Sequence, residues 1–467
     1  MGTTVSKILN VVALLIVLKL ISTEAFGIAS IVLALFSILR AVTELGLGVA
    51  IVQAQDITRE EVDSLFWLSL LVSGGLYLLL VLTAPLISSF YGDPQITPLL
   101  QVYGLSVVIF SFYFIPKNLL TKEMSFGCIV FAENVSLLAS SLVMIALAAY
   151  NFGAWAIILG ELGNRVGRLI LFQFFRPHWP GWRFNWAQVK PRVSFGLYAT
   201  GSRLMYNFYI NADYLLVGRL FGPEAVGIYT MAYRIVSDPV RTLASTINDV
   251  AYPAFSKLQN ELERLRTYFF TIARANLALI GLVLVIIGVH IEELLAVGGY
   301  EKYLDAIPLI YIFSIVGVLR SVAALMPQLL NAVGQARLNF FYSIFSSILM
   351  PIAFYVGGQF SLNGVAWAWV ATYPVVVLLL LFFSSRVLEV SLPQVFGTIA
   401  PSGLLLLPAL GVGLGLQWLI ATYLTTMAIP ALVLGVIGTL AVGLALIAWR
   451  ERDAIAILRG QYSASEA

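Results

Sequence analysis

A small set of polar side chains stands inside long apolar runs of this chain, and their types point to one kind of chemistry. Arg40 and Glu44 lie one helical turn apart, and Arg203, Asn207 and Asn211 recur at four-residue steps with Asp213 displaced around the same helix. Arg234, Asp238 and Arg241 share a helical face, and Arg320 stands in a separate run. A charge at the centre of a membrane helix costs about 2.5–3.5 kcal/mol on insertion scales, so each needs a partner or a polar cavity. Guanidinium groups make forked bonds to anionic oxygens, so a chamber lined by these arginines suits a pyrophosphate or acidic sugars. The expected cavity set is Arg40, Glu44, Arg203, Asn207, Asn211, Arg234, Arg241 and Arg320. Asp213, Asp238 and Glu44 are the candidates for coupling to a proton or to sodium, and residue type does not choose between these ions.

The competing reading is that such residues pair and merely hold helices together. It fits Glu161 with Arg165, and Glu133, and it fits better still Arg168 and Asp249 near the surface. Neighbouring tyrosines (Tyr206, Tyr209, Tyr214, Tyr229, Tyr233 and Tyr252) offer rings and hydroxyls to a sugar, but each is also an ordinary interface anchor. No catalytic set is present. Cys128 is the single cysteine, and His178 and His290 are far apart, so neither a thiolate cluster nor a histidine metal site is expected, nor any cofactor.

The elements that must position these residues follow from composition. Of 467 residues, 60% are hydrophobic and 11% charged, against roughly 25% charged in a soluble domain. Apolar runs of about 20 residues span a bilayer as helices, and none shows the alternation of an outer-membrane strand. The net charge of +3 is too small to point to nucleic acid. An all-α polytopic membrane protein is expected, with about fourteen helices near 5–22, 26–53, 64–88, 97–119, 126–149, 152–175, 194–220, 224–255, 267–290, 304–330, 337–358, 363–385, 393–420 and 427–449. The first run lacks a cleavage site and carries Lys19, so it reads as a retained helix. Pro239 is expected to bend the eighth helix. Lys and Arg gather in one set of connections, notably Arg176 to Arg192, which places both termini in the cytoplasm.

The chain also repeats itself. Lys19-Leu20 with Glu24-Ala25-Phe26-Gly27-Ile28 returns as Arg219-Leu220 with Glu224-Ala225-Val226-Gly227-Ile228. Pro98-Leu99-Leu100 returns as Pro308-Leu309-Ile310, Ile115-Pro116 as Met326-Pro327, and Gly153-Ala154-Trp155-Ala156 as Gly364 with Ala366-Trp367-Ala368. A repeat of six helices enters the membrane twice in the same direction, giving two bundles about an axis along the membrane normal. The expected organisation is an amino-terminal lobe over 1–175, a cytoplasmic linker over 176–193, a second lobe over 194–386, two further helices over 387–449, and a tail over 450–467.

At several places the residues resemble the Wzx-type polysaccharide flippases. The runs are Phe26-Gly27 to Glu44-Leu45-Gly46-Leu47-Gly48, Ala50-Ile51-Val52-Gln53, Phe66-Trp67 and Phe90-Tyr91-Gly92-Asp93-Pro94. Others are Asn211-Ala212-Asp213-Tyr214 to Gly218-Arg219, Gly227-Ile228-Tyr229 to Ala232-Tyr233-Arg234, Pro239, and Tyr252-Pro253-Ala254-Phe255-Ser256-Lys257-Leu258-Gln259. The similarity runs along essentially the whole chain and is closest to the colanic-acid-exporter-like branch. It implies the multidrug/oligosaccharidyl-lipid/polysaccharide (MOP) superfamily, with twelve core helices in two lobes and two more beyond them. It also implies alternating access and movement of an undecaprenyl-pyrophosphate-linked oligosaccharide from the cytoplasmic to the periplasmic leaflet of the bacterial inner membrane. Cavity residues in such proteins handle the glycan, and the matching positions here are Arg40, Glu44, Arg203, Asn211, Asp213, Arg234 and Arg241. A polysaccharide polymerase and a chain-length regulator are the protein partners that the resemblance implies.

Two other classes stay open at this stage. An ion-coupled drug antiporter of the same superfamily fits the fold, although a cationic substrate prefers an acidic excess. A membrane glycosyltransferase or polymerase is disfavoured, because no loop offers paired acids, a nucleophile with a histidine, or a phosphate-binding glycine loop.

Overall fold

A computed structural model of the chain describes residues 2–44, 48, 51–52, 57–423 and 428–451. In hydrocarbon each backbone N–H and C=O must be satisfied within its own segment, which a helix does and an open strand does not. The described residues accordingly form helices and no strands: α1 (Gly2–Leu20), α2 (Thr23–Glu44), α3 (Arg59–Tyr91), α4 (Ile96–Lys122), α5 (Phe126–Ala149) and α6 (Ala154–Phe175). They continue as α7 (Trp186–Leu258), α8 (Leu262–Gly298), a 3-10 turn (Glu301–Ala306), α9 (Ile307–Ala323), α10 (Met326–Ala332), α11 (Ala336–Gly358) and α12 (Leu362–Val387), then α13 (Leu392–Leu404), α14 (Leu406–Tyr423) and α15 (Ala428–Arg450). Polar caps start several of them. Thr58 accepts the Glu61 N–H at the head of α3, and Ser391 and Gln394 form a capping box on α13.

Among the described residues, ten helical stretches are long and apolar enough to cross a membrane. The expected segments outside those ten have a common cause, apart from the first, of which a shorter apolar stretch Val11–Leu20 is described. Helix α6 carries Glu161, Arg165 and Arg168, and α7 carries the arginines and acids singled out above. Charged and polar residues recur along both α6 and α7, which lowers their hydropathy. On α3, by contrast, Leu71, Leu78, Leu82 and Leu86 are all exposed; a lipid-facing surface tolerates this and water does not.

Two expectations change. Helix α7 begins at Trp186, inside the connection expected over 176–193, so the non-helical link is shorter. The expected seventh and eighth segments then run as one element whose break is at Gly222 (φ 83°, ψ 175°) and not at Pro239, where the backbone stays helical. Pro223 disfavours helical geometry in the residue before it, and glycine adopts positive φ without steric cost. Pro239 removes only one donor from an established helix. Of the tail expected over 450–467, residues 452–467 lie outside the described residues.

The chain divides into two compact units, Met1–Gly227 and Ile228–Ala467. The first extends beyond the expected linker because the first arm of α7 packs on it. Gly218 lies against Ile31 and Tyr91, and the Arg219 guanidinium lies 5.0 Å over the Phe90 ring. Here the two copies of the repeated motif meet reciprocally. A Cβ on Gly27 would collide with the backbone carbonyl of Pro223, and a Cβ on Gly227 with that of Thr23. Each glycine thus faces the residue four positions before its counterpart, which is the pattern of a local two-fold axis between the copies.

The connection 176–185 folds onto the head of α3. Trp67 Nε1 donates to Gly181 O at 2.8 Å, and the Asn185 N–H donates to Ser64 Oγ at 2.9 Å. Gln173 brackets the loop, donating to His178 O and accepting the His178 N–H. His178 Nε2 lies 3.4 Å from Asp63 Oδ1, both side chains being buried. In the second unit α8 packs against α9, α11 pairs with α12, and α13, α14 and α15 lie along α8 over Ala278, Leu282, Ala409 and Ile447.

Two outcomes follow. Gly27→Ala and Gly227→Ala each lower thermal stability by about 1–3 kcal/mol, because backbone cannot yield as a side chain does. Gly74→Ala, where a Cβ meets nothing within 4 Å, leaves it unchanged or raised by up to about 1 kcal/mol. Thermal unfolding of the purified protein separates the two classes. The second outcome concerns His178, whose imidazole burial holds below its ordinary range, with Asp63 pulling it up and Arg59 and Arg176 pulling it down. The docked loop therefore favours the neutral ring, while an undocked imidazole titrates near pH 6.5. Docking is at full strength above about pH 6.5 and weakens as pH falls below it. Hydrogen exchange at residues 177–185, corrected for intrinsic rate, increases between about pH 7.5 and pH 5.5, and His178→Gln removes that dependence.

Candidate functional site

In the first unit, charge and phenol groups come together between α2, α4 and α6. Arg165 Nη1 donates to the Tyr113 hydroxyl at 3.3 Å, and Arg165 acts electrostatically on Tyr103 as well. Glu161, one turn earlier on α6, acts on both, and Arg40 reaches Tyr103 electrostatically from α2. Phe36 packs edge-on against Tyr103, with centroids 4.6 Å apart. Both tyrosines are buried, so their rings form a floor and Arg165 spans it. Nearby, Lys117 Nζ lies 2.7 Å from Glu133 Oε1, and Arg168 Nη1 lies 4.0 Å from the same oxygen. Lys117 belongs to the last turns of α4. The pairing read into Glu133 is present, with Lys117 as its near partner.

Helix α7 carries the largest share of the expected site. On its first arm Asn211 Nδ2 donates to Asn207 O at 2.7 Å, and Asp213 is fully buried, accepting the Tyr214 N–H at 2.9 Å. On its second arm Arg241 Nη2 pairs with Asp238 Oδ1 at 2.8 Å, while the Arg241 side chain is 79% exposed. Arg234 lies on the same arm, half-buried. Arg40 is exposed at the end of α2. Arg203 and Glu44 lie on α7 and α2, and their side chains are outside the described set.

Arg320 has a different setting from the one its sequence position implies. Its guanidinium lies 4.2 Å over Trp369, 5.0 Å over Tyr233 and 5.6 Å over Tyr373. Nη1 donates to the Tyr233 hydroxyl at 2.7 Å and to Ser237 Oγ at 3.1 Å. Trp369 Nε1 in turn donates to the Tyr229 hydroxyl at 3.3 Å. Rings placed in this way attract a cation through their quadrupoles, worth about 0.5–2 kcal/mol each. The aromatic box ties α9 to the second arm of α7 and to α12. Sequence reading missed the box, yet its signal was present: Tyr233 with Ser237, and Trp369 with Tyr373, are both spaced i,i+4.

The sequence profile of the family described as polysaccharide biosynthesis protein matches residues 16–308, more than half of the chain. The chain belongs to this family. This polysaccharide biosynthesis protein is 27% identical over 361 residues to the lipopolysaccharide biosynthesis protein WzxC of Escherichia coli (strain K12), covering 75% of this chain and 72% of that one. It is 29% identical over 364 residues to the teichuronic acid biosynthesis protein TuaB of Bacillus subtilis (strain 168), covering 77% and 75%. Among solved structures, the lipid II flippase MurJ in an inward closed conformation matches with a TM-score of 0.73 at 15% identity, over 97% of this chain and 98% of that one. An inward-facing multidrug resistance MATE family transporter of the MOP superfamily matches with a TM-score of 0.65 at 15% identity, over 81% and 94%. At such identities the likeness is one of fold. The resemblance read from the motif runs is sustained, and the protein is a multi-pass protein of the bacterial inner membrane with a MOP-type transporter fold.

Arg320→Ala in this polysaccharide biosynthesis protein removes a donor from Tyr233 and Ser237 together with the ring contacts. The expected cost is about 1–3 kcal/mol, and Arg320→Lys recovers part of it. Thermal unfolding of the two variants beside wild type checks the order.

Proposed function

We propose that this protein moves an undecaprenyl-pyrophosphate-linked oligosaccharide repeat unit from the cytoplasmic to the periplasmic leaflet by alternating access. Fourteen spans with both termini in the cytoplasm, arranged as two six-helix lobes and two further helices, complete the reading. The observation that carries it is the company of the intramembrane arginines. Arg165 and Arg320 are held by tyrosine hydroxyls and aromatic rings, and Arg40 is exposed at its helix end. Membership of a polysaccharide biosynthesis family and a fold shared end to end with a lipid II flippase support a lipid-linked glycan as the cargo. In this reading Arg40, Glu44, Arg203, Asn207, Asn211, Arg234 and Arg241 line the path, with Arg320 as its aromatic-held wall. The protein performs no bond-making step itself, and a polymerase with its chain-length regulator takes the delivered units.

Ion coupling has one specific observation in its favour, the fully buried Asp213. A buried carboxyl either holds a proton or pairs with a cation, so a proton- or sodium-driven cycle is the version proposed.

The test is transbilayer movement of a labelled undecaprenyl-pyrophosphate oligosaccharide in proteoliposomes. Arg40→Ala and Arg241→Ala are each expected to slow it about tenfold or more, the loss of one charge-assisted bond to an anionic oxygen, with insertion unchanged. Wild-type rates in both variants contradict the assignment. Counter-ion-driven uptake of small cations without glycan movement marks an antiporter instead, and glycan chain growth marks a polymerase.

A further inference from the structure

A second polar cluster lies inside the second unit, where α8 meets α14 and α15. His290 is 1% exposed, and Glu293 follows one turn later on the same side of α8. His290 Nε2 lies 3.3 Å from Thr439 Oγ1. Thr439 is itself buried and gives its hydroxyl proton to Gly435 O at 2.8 Å. Its oxygen is therefore an acceptor towards the ring, which places an imidazole hydrogen on Nε2. Glu293 Oε1 accepts from Gln417 Nε2 at 2.7 Å, while Oε2 is buried and has no hydrogen-bond partner among the described residues. Thr439 sits at the middle of α15 (Ala428–Arg450), so the cluster is at depth and not at a helix mouth.

The charged groups around it are few. On α8 the neighbour Glu292 is exposed and bonded to Tyr311 of α9 at 3.1 Å. Glu301, Lys302 and Asp305 on the 3-10 turn are exposed. Arg320 on α9 is held in its aromatic box. Helices α13 and α14 contain no Asp, Glu, His, Lys or Arg, and α15 has only Arg450 at its end. With neutral His290 and ionised Glu293 the cluster holds an uncompensated negative charge in an apolar setting, which is unfavourable. One proton added to the ring neutralises it.

We propose that His290 and Glu293 form a one-proton binding site within the membrane, closed by Gln417 and Thr439 from the two last helices. In a carrier this gives a proton gradient a place to act on the packing of α14 and α15. That extension rests on the transport reading, whereas the proton site stands without it.

The chain has two histidines, so in a His178→Gln background the labelled imidazole nitrogens of His290 give a single NMR signal set. The purified full chain in lipid nanodiscs is titrated with and without Glu293→Gln. The expected result is that Glu293→Gln lowers the midpoint of His290 by about one pH unit or more. Gln417→Leu, which leaves both titrating groups in place, shifts it in the same direction by withdrawing the Gln417 bond that favours the Glu293 carboxylate. A midpoint unmoved by both substitutions, or an imidazole that never takes a proton across the range, overturns the proposal. Neither result depends on any glycan being moved.

Discussion

The architecture turns on two residues that have no side chain. Where Gly27 meets Pro223 and Gly227 meets Thr23, two helix starts approach closely enough that a methyl group has nowhere to go. The approach is reciprocal because the sequence around it is the same sequence twice. A contact between two copies of one motif satisfies both at once, so one small residue specified in each copy fixes the crossing. The break at Gly222 and Pro223 lies immediately before the second copy and lets α7 change direction as it arrives there. Helices α2 and α7, which meet at this crossing, are also the ones that carry most of the candidate site.

A second constraint acts on charge. An arginine within a span must be neutralised or shared, and carboxylates are only one way to do it. This chain uses them at its edges, as in Arg264 with Glu261, Arg266 with Glu263, and Glu451 with Arg274 and Ser402. Deeper in, it uses phenol hydroxyls and ring faces, on Arg165 in one unit and Arg320 in the other. A hydroxyl or a ring holds a guanidinium without cancelling its charge.

Much of the fold was legible from composition because the bilayer reduces the choice to helices, and segment ends were marked by Pro, Gly and polar caps. The segment expected over 126–149 is helix α5 (Phe126–Ala149). The repeated Glu-Ala-x-Gly-Ile motif was legible too, although only the structure shows that its two copies touch. The start of α7 at Trp186 was not, because Arg183, Lys190 and Arg192 read as a charged connection when hydropathy alone is weighed. The box around Arg320 needs residues from three helices, and one-dimensional spacing shows only two sides of it. The cluster around His290 escaped because a single histidine in an apolar run looks like a core residue, and its partners Gln417 and Thr439 come from far along the chain.

Alternating access by a two-lobed carrier is the central claim, and cysteine reactivity tests it most directly. With Cys128 replaced by Ser, the chain carries one thiol if Thr242→Cys is introduced beside Arg241, at an exposed position on α7. Sealed vesicles of known orientation are treated with an impermeant maleimide from either side, with and without lipid-linked oligosaccharide. The account predicts reactivity from both sides, with substrate shifting the balance between them. Reactivity confined to one side, and unmoved by substrate, would contradict it.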